Sequence, residues 1–399
     1  MPETTPEILR LMIVAGEPSG DAHAAALVRA LRERAPETHF EFFGATHSEM
    51  RAAGVESIVR ADDLSITGLL EIGRALPKFW GAFQQLKQAA LERQPDAVIL
   101  VDWPDFNLKL ARALHRRGLK IIYYISPQLW AWRSYRARSI KRDVDLLLAI
   151  LPFEPDWYAA RGITHVEFVG HPLAGCVQPR YNRAEFRARH GLAQSEPLIA
   201  LLPGSRRKEL LRILPPMLDA ARLILRGRPA AQFVLPLAPT RTREETAPTI
   251  AAAGGDALAR ALLVTEQETR EALAAADVAA VASGTATLEA AITGTPLVVV
   301  YQESKLNWHT LRGLIDVEHF GLVNLIAGER LAPELLQYEF TGETLARELL
   351  KLLEPERNAT TRARLSEAIT QLGAGGASER AAAAILRAVR RPFFCAARS

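Results

Sequence analysis

Two cysteines, Cys176 and Cys395, are all that the 399 residues contain. They lie far apart in sequence, so neither a disulfide framework nor a cysteine-rich zinc site can be assembled, and a reducing compartment fits. No apolar run approaches the roughly 20 residues that span a bilayer. The start, Met1-Pro2-Glu3, lacks the basic and apolar regions of a signal peptide, and a cytoplasmic location is expected. Several catalytic signatures are missing as well. The nine histidines form no H-E-x-x-H arrangement and no D-x-D pair follows a strand, so no metal site is predicted. A Walker loop and a G-x-S-x-G elbow are absent, which argues against nucleotide triphosphate hydrolysis and acyl hydrolysis. No basic run is interleaved with aromatics, and no nucleic-acid partner is expected.

What is present is the balance of a globular protein, 49% hydrophobic and 24% charged, with a formal net charge of +4 that favours anionic partners. Apolar strands alternate with helical segments, which predicts parallel α/β construction. Strand Leu9 to Ala15 runs into a turn and a helix from His23, and further strands are expected at 39–43, 97–101, 120–125, 145–150 and 166–169. A second series opens at Leu198 and continues through 232–236, 261–264, 277–281 and 296–300. The expected domains are thus 1–172, 198–353 and a helical tail at 361–399, with a linker between 172 and 197. Two Rossmann-like domains facing a cleft are predicted, with the tail packed back on the first domain or on a second subunit of a homodimer.

Ligands of open parallel sheets bind beyond the carboxyl ends of the strands, so the turns after strands are the places to look. Ala282-Ser283-Gly284-Thr285-Ala286-Thr287-Leu288-Glu289 leads from a strand into a helix start whose free N–H groups suit a diphosphate. Ser283 and Thr285 can add hydroxyl donors and Glu289 can accept from a ribose diol; a plain capped helix with an exposed Glu is the alternative. Gly204, Ser205 and Arg206 follow the first strand of the second domain, where Arg206 can neutralise a leaving diphosphate or simply belong to a solvated basic face.

In the first domain Gly16-Glu17-Pro18-Ser19-Gly20-Asp21 lacks the G-x-G-x-x-G spacing of a dinucleotide site, which removes the main support for hydride chemistry. Glu17, Ser19 and Gly20 can meet a sugar, or the segment is a tight turn with Asp21 as helix cap. Val101-Asp102-Trp103-Pro104-Asp105-Phe106-Asn107 sets two carboxylates after a strand. Asp105 is the better N-cap, leaving Asp102 as the better general base, its pKa raised by partial burial. The apolar stretch from Leu64 to Trp80, with Ile66, Leu69, Leu70, Leu76 and Phe79, is flanked by Arg74, Lys78 and Lys87. It suits a membrane interface or a core helix. Trp130 and Trp132 line the cleft or join the core.

Together with Ser126-Pro127, Trp130-Ala131-Trp132-Arg133, Leu151-Pro152-Phe153-Glu154, Gly170-His171-Pro172 and Asn324-Leu325-Ile326-Ala327-Gly328, these motifs stand in an order that resembles the lipid-A-disaccharide synthases, glycosyltransferases of GT-B architecture. The resemblance covers nearly the whole chain. It implies transfer of 2,3-diacylglucosamine from its UDP derivative to 2,3-diacylglucosamine 1-phosphate, giving a β-1,6 disaccharide 1-phosphate and UDP at the cytoplasmic membrane face, without a cofactor. It further implies that Asp102, Arg206 and Asn324 match functional positions of the family and that 64–80 matches its membrane-binding face. Gln302, where a basic residue is usual, and Val323, where proline is frequent, depart from the pattern. The rival expectations are a UDP-N-acetylglucosamine 2-epimerase and a non-catalytic nucleotide-binding adaptor at the membrane.

Overall fold

The computed structural model describes residues 7–64, 72–304, 308 and 318–390. The chain divides into two compact units, one formed by the chain up to Pro172 together with the chain from Gly375 onward, the other by Leu173–Ala374.

The first unit is built on β1 (Ile8–Ala15), β2 (His39–Thr46), β3 (Glu56–Arg60), β4 (Ala97–Val101), β5 (Ile121–Tyr124), β6 (Leu146–Ala149) and β7 (Val166–Phe168), paired in the order β3-β2-β1-β4-β5-β6-β7. Every pairing is parallel. Strand β4 reads Ala-Val-Ile-Leu-Val with all five residues buried, the unbroken apolar run that a sheet covered on both faces demands. Helices α1 (Pro18–Arg34), α2 (Ser48–Ala52), α3 (Ile72–Arg93), α4 (Pro104–His115), α5 (Ala137–Asp143) and α6 (Glu154–Ala159) complete the unit up to Pro172. Strand order reverses between β1 and β4, and their register sets Ala15 opposite Val101. The turns after these two strands therefore leave the sheet side by side.

The second unit repeats the plan. Strands β8 (Leu198–Leu202), β9 (Gln232–Leu237), β10 (Leu262–Glu266), β11 (Val278–Ala282), β12 (Leu297–Tyr301) and β13 (Glu334–Leu336) pair in the order β10-β9-β8-β11-β12-β13, again all parallel. Its switch point lies between β8 and β11, where Leu202 stands opposite Val281. Helix α7 (Arg183–Arg189) precedes this sheet, and α8 (Arg207–Gly227), α9 (Arg243–Ala253), α10 (Asp256–Ala261), α11 (Thr269–Ala275) and α12 (Ala286–Ile292) follow in chain order.

Three features differ from the expectation. The segment expected as a linker is, from Leu173 onward, part of the second unit: Arg187, fully buried, donates to the carbonyls of Ala193 and Glu196 at 2.8 Å each and to Asp277 at 2.9 Å. Edge strands β3 and β13 were not foreseen. The tail is two helices, Pro355–Thr370 in the second unit and Ala377–Arg390 in the first. The latter lays Ala381, Ala382, Ile385 and Leu386 into the core beside α1, and Arg380 donates to the Val169 carbonyl at 2.8 Å. Burial of Ile385 and Leu386 is worth roughly 1.5–3 kcal/mol each.

Candidate active site

In the first unit the turns after β1 and β4 interlock. A Cβ on Gly16 would fall 2.0 Å from Cδ2 of the Trp103 indole, so only glycine lets that ring lie on the turn. Trp103 in turn stacks on Phe106, centroids 4.1 Å apart. Asp102 and Trp103 are both left-handed, with φ of +47° and +53°, a conformation that costs non-glycine residues of order 1–3 kcal/mol each and clusters at functional sites. Two side chains hold it in place. The Asn107 amide donates to the carbonyl of Asp102 at 2.8 Å, and the Tyr123 hydroxyl donates to the same oxygen at 2.6 Å.

Asp102 therefore projects its carboxyl from a fixed backbone. Burial, reinforced by the negative charge of nearby Glu17, pushes its pKa up to about 6 against the lowering effect of a hydrogen bond from the Trp103 backbone. At neutral pH the group is ionised yet close to taking up a proton, as a general base should be. Glu17 and Ser19 are exposed, whereas Gly20 is buried. Asp21 does not cap its own helix. It is buried and accepts from the N–H groups of His47, Glu49 and Met50 at 2.7, 2.8 and 3.2 Å, capping α2 instead.

Asp105 does not serve as N-cap either, because α4 starts one residue earlier at Pro104. Its carboxylate binds Arg133 at 3.1 Å and Arg136 at 2.5 Å. Beside it opens an apolar groove of about 590 Å³ lined by Leu76, Phe79, Trp80, Phe83, Trp103 and Phe106, with Asp105 and Lys109 as its polar members. Leu76 and Trp80 are 63% and 65% exposed, while Ala82 and Leu86 of the same helix lie in the core, so α3 is a core helix on one face and leaves large apolar side chains exposed on another. Ile66, Leu69 and Leu70 lie outside the described residues. Trp130 is core, donating from its indole N–H to buried Glu154 at 3.2 Å, and Trp132 is exposed.

In the second unit the turns after β8 and β11 frame a pocket of about 340 Å³ that brings together Gly204, Ser205, Arg206, Ser283, Gly284, Thr285, Ala286 and Glu289. Gly284 has φ of +150°, and nothing stands within 4 Å of where its Cβ would be, so its backbone is open to a ligand. The ladder of α12 begins with Glu289 N–H donating to Thr285 at 3.2 Å, which leaves the N–H groups of Gly284, Thr285 and Ala286 outside it. With only seven residues α12 adds little macrodipole, and these N–H groups carry most of the attraction.

Ser283 is not a hydroxyl donor to a ligand, since its Oγ donates to the Phe320 carbonyl at 2.8 Å. Thr285 is exposed on the pocket. Arg206, its side chain 82% exposed, pairs with Glu209 at 3.0 Å, and the Glu209 carboxylate also accepts from the N–H groups of Ser205 and Arg206 at 3.2 Å each. A Cβ on Gly204 would sit 2.4 Å from that carboxylate. Glu289 is held at 3.5 Å by Arg270, and burial raises its pKa while Arg270 opposes the rise.

Asn324 is not among the residues that line this pocket. Fully buried, it spends both amide hydrogens on the Ala332 carbonyl and on Glu334, 2.8 Å each, and accepts from Ala332 N–H at 2.8 Å. Glu334 accepts from the N–H groups of Phe320 and Gly321, and the Phe320 carbonyl anchors Ser283. Asn324 thus supports the pocket from behind. Asn107, Tyr123, Glu334 and Arg270 were missed by sequence reasoning; only Asn107 carried a signal, as the last residue of its motif.

A family model described as lipid-A-disaccharide synthetase matches residues 11–388. The chain belongs to the lipid-A-disaccharide synthase family. It is 42% identical over 383 residues to the lipid-A-disaccharide synthase of Trichlorobacter lovleyi, covering 96% of this chain and 98% of that one, and 43% identical over 378 residues to that of Myxococcus xanthus, covering 94% and 97%. Membership of the lipid-A-disaccharide synthases makes it a glycosyltransferase of lipid A disaccharide synthesis, and the epimerase and adaptor alternatives are not favoured.

Among solved structures, the UDP-N-acetylglucosamine 2-epimerase of Neisseria meningitidis, bound to UDP-GlcNAc, matches with a TM-score of 0.63 at 11% identity over 96% of this chain and all of that chain. The calicheamicin glycosyltransferase CalG4 matches at 0.58 and 16% identity over 97% of this chain and 98% of that one. At such identities these likenesses concern the fold alone. They place this lipid-A-disaccharide synthase on the two-Rossmann, GT-B architecture.

Proposed function

We propose that this lipid-A-disaccharide synthase performs an inverting transfer of the 2,3-diacylglucosaminyl group of UDP-2,3-diacylglucosamine to the 6-hydroxyl of 2,3-diacylglucosamine 1-phosphate, releasing UDP. The observation that carries the reading is Asp102. A carboxylate with a pKa near 6, fixed on a doubly left-handed turn beside an apolar groove, is suited to take the proton of an acceptor hydroxyl as the new bond forms.

The donor's UDP occupies the pocket at the β8 and β11 turns. The N–H groups of 284–286 receive the diphosphate, and Glu289, oriented by Arg270, takes the ribose diol. Arg206 leaves Glu209 to neutralise the departing UDP; as an exposed pair the two are held together only weakly. Among the described residues no group of three or more His, Cys, Asp or Glu could hold a metal ion, and the leaving-group charge is assigned to Arg206 and the turn.

The groove at Leu76, Phe79 and Trp80 receives acyl chains at the cytoplasmic face of the membrane, where the exposed Leu76 and Trp80 dip into the interface. The attachment proposed is peripheral, through this exposed apolar face; among the described residues no helix is long and apolar enough to cross a membrane.

The test is to incubate the protein with both lipid substrates in detergent, with and without EDTA, and to follow disaccharide 1-phosphate by mass spectrometry. Product that persists in EDTA supports the whole reading. Loss of product in EDTA overturns the metal-free assignment, and absence of product from matched substrates overturns the substrate assignment.

A further inference from the structure

We propose that Arg133 and Arg136 form the subsite for the phosphate monoester of the acceptor, a subsite that Asp105 fills as an internal anion until the substrate arrives. The inference rests on the acceptor reading above and adds to it where the charged end of that amphiphile sits.

Both guanidinium groups converge on one oxygen, Oδ1 of Asp105, at 3.1 and 2.5 Å. Two cations on one carboxylate leave a formal excess of one positive charge, and Lys109, one turn along α4 and lining the same groove, brings it to two. A phosphate monoester carries about −1.5 to −2 at neutral pH and presents three acceptor oxygens, so it matches this excess in both charge and donor count. Asp105 is 64% exposed on its side chain, and an exposed ion pair of this kind is readily exchanged for a stronger anion.

The arginines are held ready rather than free to wander. Arg133 is left-handed, φ +56°, and lies over the Trp132 ring with its Cζ 4.0 Å from the centroid. The loop beneath is pinned by Trp130 donating to buried Glu154 and by Ser126 Oγ within 3.0 Å of the Tyr158 hydroxyl. Sequence analysis singled out these two motifs, and the transfer chemistry itself has no use for them.

Position completes the argument. Asp105 lines the apolar groove and stands three residues from Asp102, while buried Tyr123 feels the charges of Asp102, Asp105 and Arg136 together. A sugar whose acyl chains lie in the groove can thus offer one end to Asp102 and its phosphate to the arginine pair. The same cations could instead serve the phosphodiesters of an anionic membrane, and the experiment separates these sources.

The full chain and its Arg133→Gln/Arg136→Gln variant would be assayed in neutral detergent with two acceptors, 2,3-diacylglucosamine 1-phosphate and the same lipid bearing a free 1-hydroxyl. Wild type should prefer the phosphorylated acceptor, and the variant should lose at least about tenfold of that preference in kcat/KM, through KM, with donor KM unchanged. Arg136→Lys should retain part of the preference. An equal fall for both acceptors, or an unchanged ratio, overturns the subsite. So does a variant that keeps the ratio but loses binding to vesicles containing phosphatidylglycerol, which would assign the cations to the membrane. A wild type that uses neither acceptor refutes the acceptor reading itself and is told apart by needing no variant.

Discussion

The amide of Asn107 donates to the carbonyl of Asp102 at 2.8 Å and to that of Val101 at 3.2 Å, tying the first turn of α4 back to the end of β4. The consequence is that Asp102, left-handed and costly on its own, has one backbone conformation in which to present its carboxyl. Asn107→Leu keeps the volume and removes both donors, leaving buried carbonyls with one partner fewer. It should cost about 1–3 kcal/mol of stability and lower kcat by more than about tenfold, with UDP affinity unchanged because the donor pocket belongs to the other unit. Denaturant melts, steady-state rates and UDP calorimetry on one preparation check this; a kcat equal to wild type would show that the turn holds without its clamp.

Asp102 gives a prediction whose sign follows from its environment. With a folded pKa of about 6, kcat/KM should climb with pH up to that value and then level off. Glu17→Gln removes the neighbouring negative charge, so the limb should move to lower pH. Asp102→Asn should abolish turnover while UDP still binds. Because the folded pKa lies above the unfolded one, the stability linked to this group is present below about pH 4 and lost as pH rises through 6. Asp102→Asn should therefore be more stable than wild type at pH 8, by about 2 kcal/mol after allowing for solvent, and the two should converge near pH 4. Coincident melts at pH 8 would mean that Asp102 is not held in a desolvated site.

Gly16→Ala places a methyl 2.0 Å from the Trp103 ring, and an indole stacked on Phe106 cannot retreat without moving the turn. Destabilisation of about 1–3 kcal/mol and loss of most turnover are expected. Trp103→Leu in the same chain should recover stability but not activity, a split that thermal melts and transfer assays would resolve.

These sites divide by how local their causes are. The strand, small-residue turn and helix after β1, β4, β8 and β11 are written in contiguous residues, and the switch-point rule then directs attention to them. Strand β3 hides because Glu56–Arg60 is an edge strand with a single buried residue, and β13 because three residues carry no period. The partners were harder still. Asp21 caps a helix 26 residues away and Ser283 bonds a carbonyl 37 residues on, and no window of sequence contains both ends of either bond. Asn324, marked as functional by resemblance alone, has its partners only 8 and 10 residues on, but nothing in the sequence says that they close around it in a buried cluster.

That last point can be tested on its own. Asn324→Leu strips two donors and one acceptor from a buried cluster and leaves Glu334 to hold the Phe320 and Gly321 N–H groups alone. A loss of about 1–3 kcal/mol is expected. Through the Phe320 carbonyl the slack reaches Ser283, so the donor turn should loosen and donor KM should rise severalfold. Asp102 and the proposed acceptor side belong to the first unit and this cluster to the second, so acceptor KM and the pH limb set by Asp102 should stay as in wild type. A catalytic Asn324 would give the opposite pattern, kcat collapsing with stability and donor KM intact, and stopped-assay kinetics beside a denaturant melt distinguish the two.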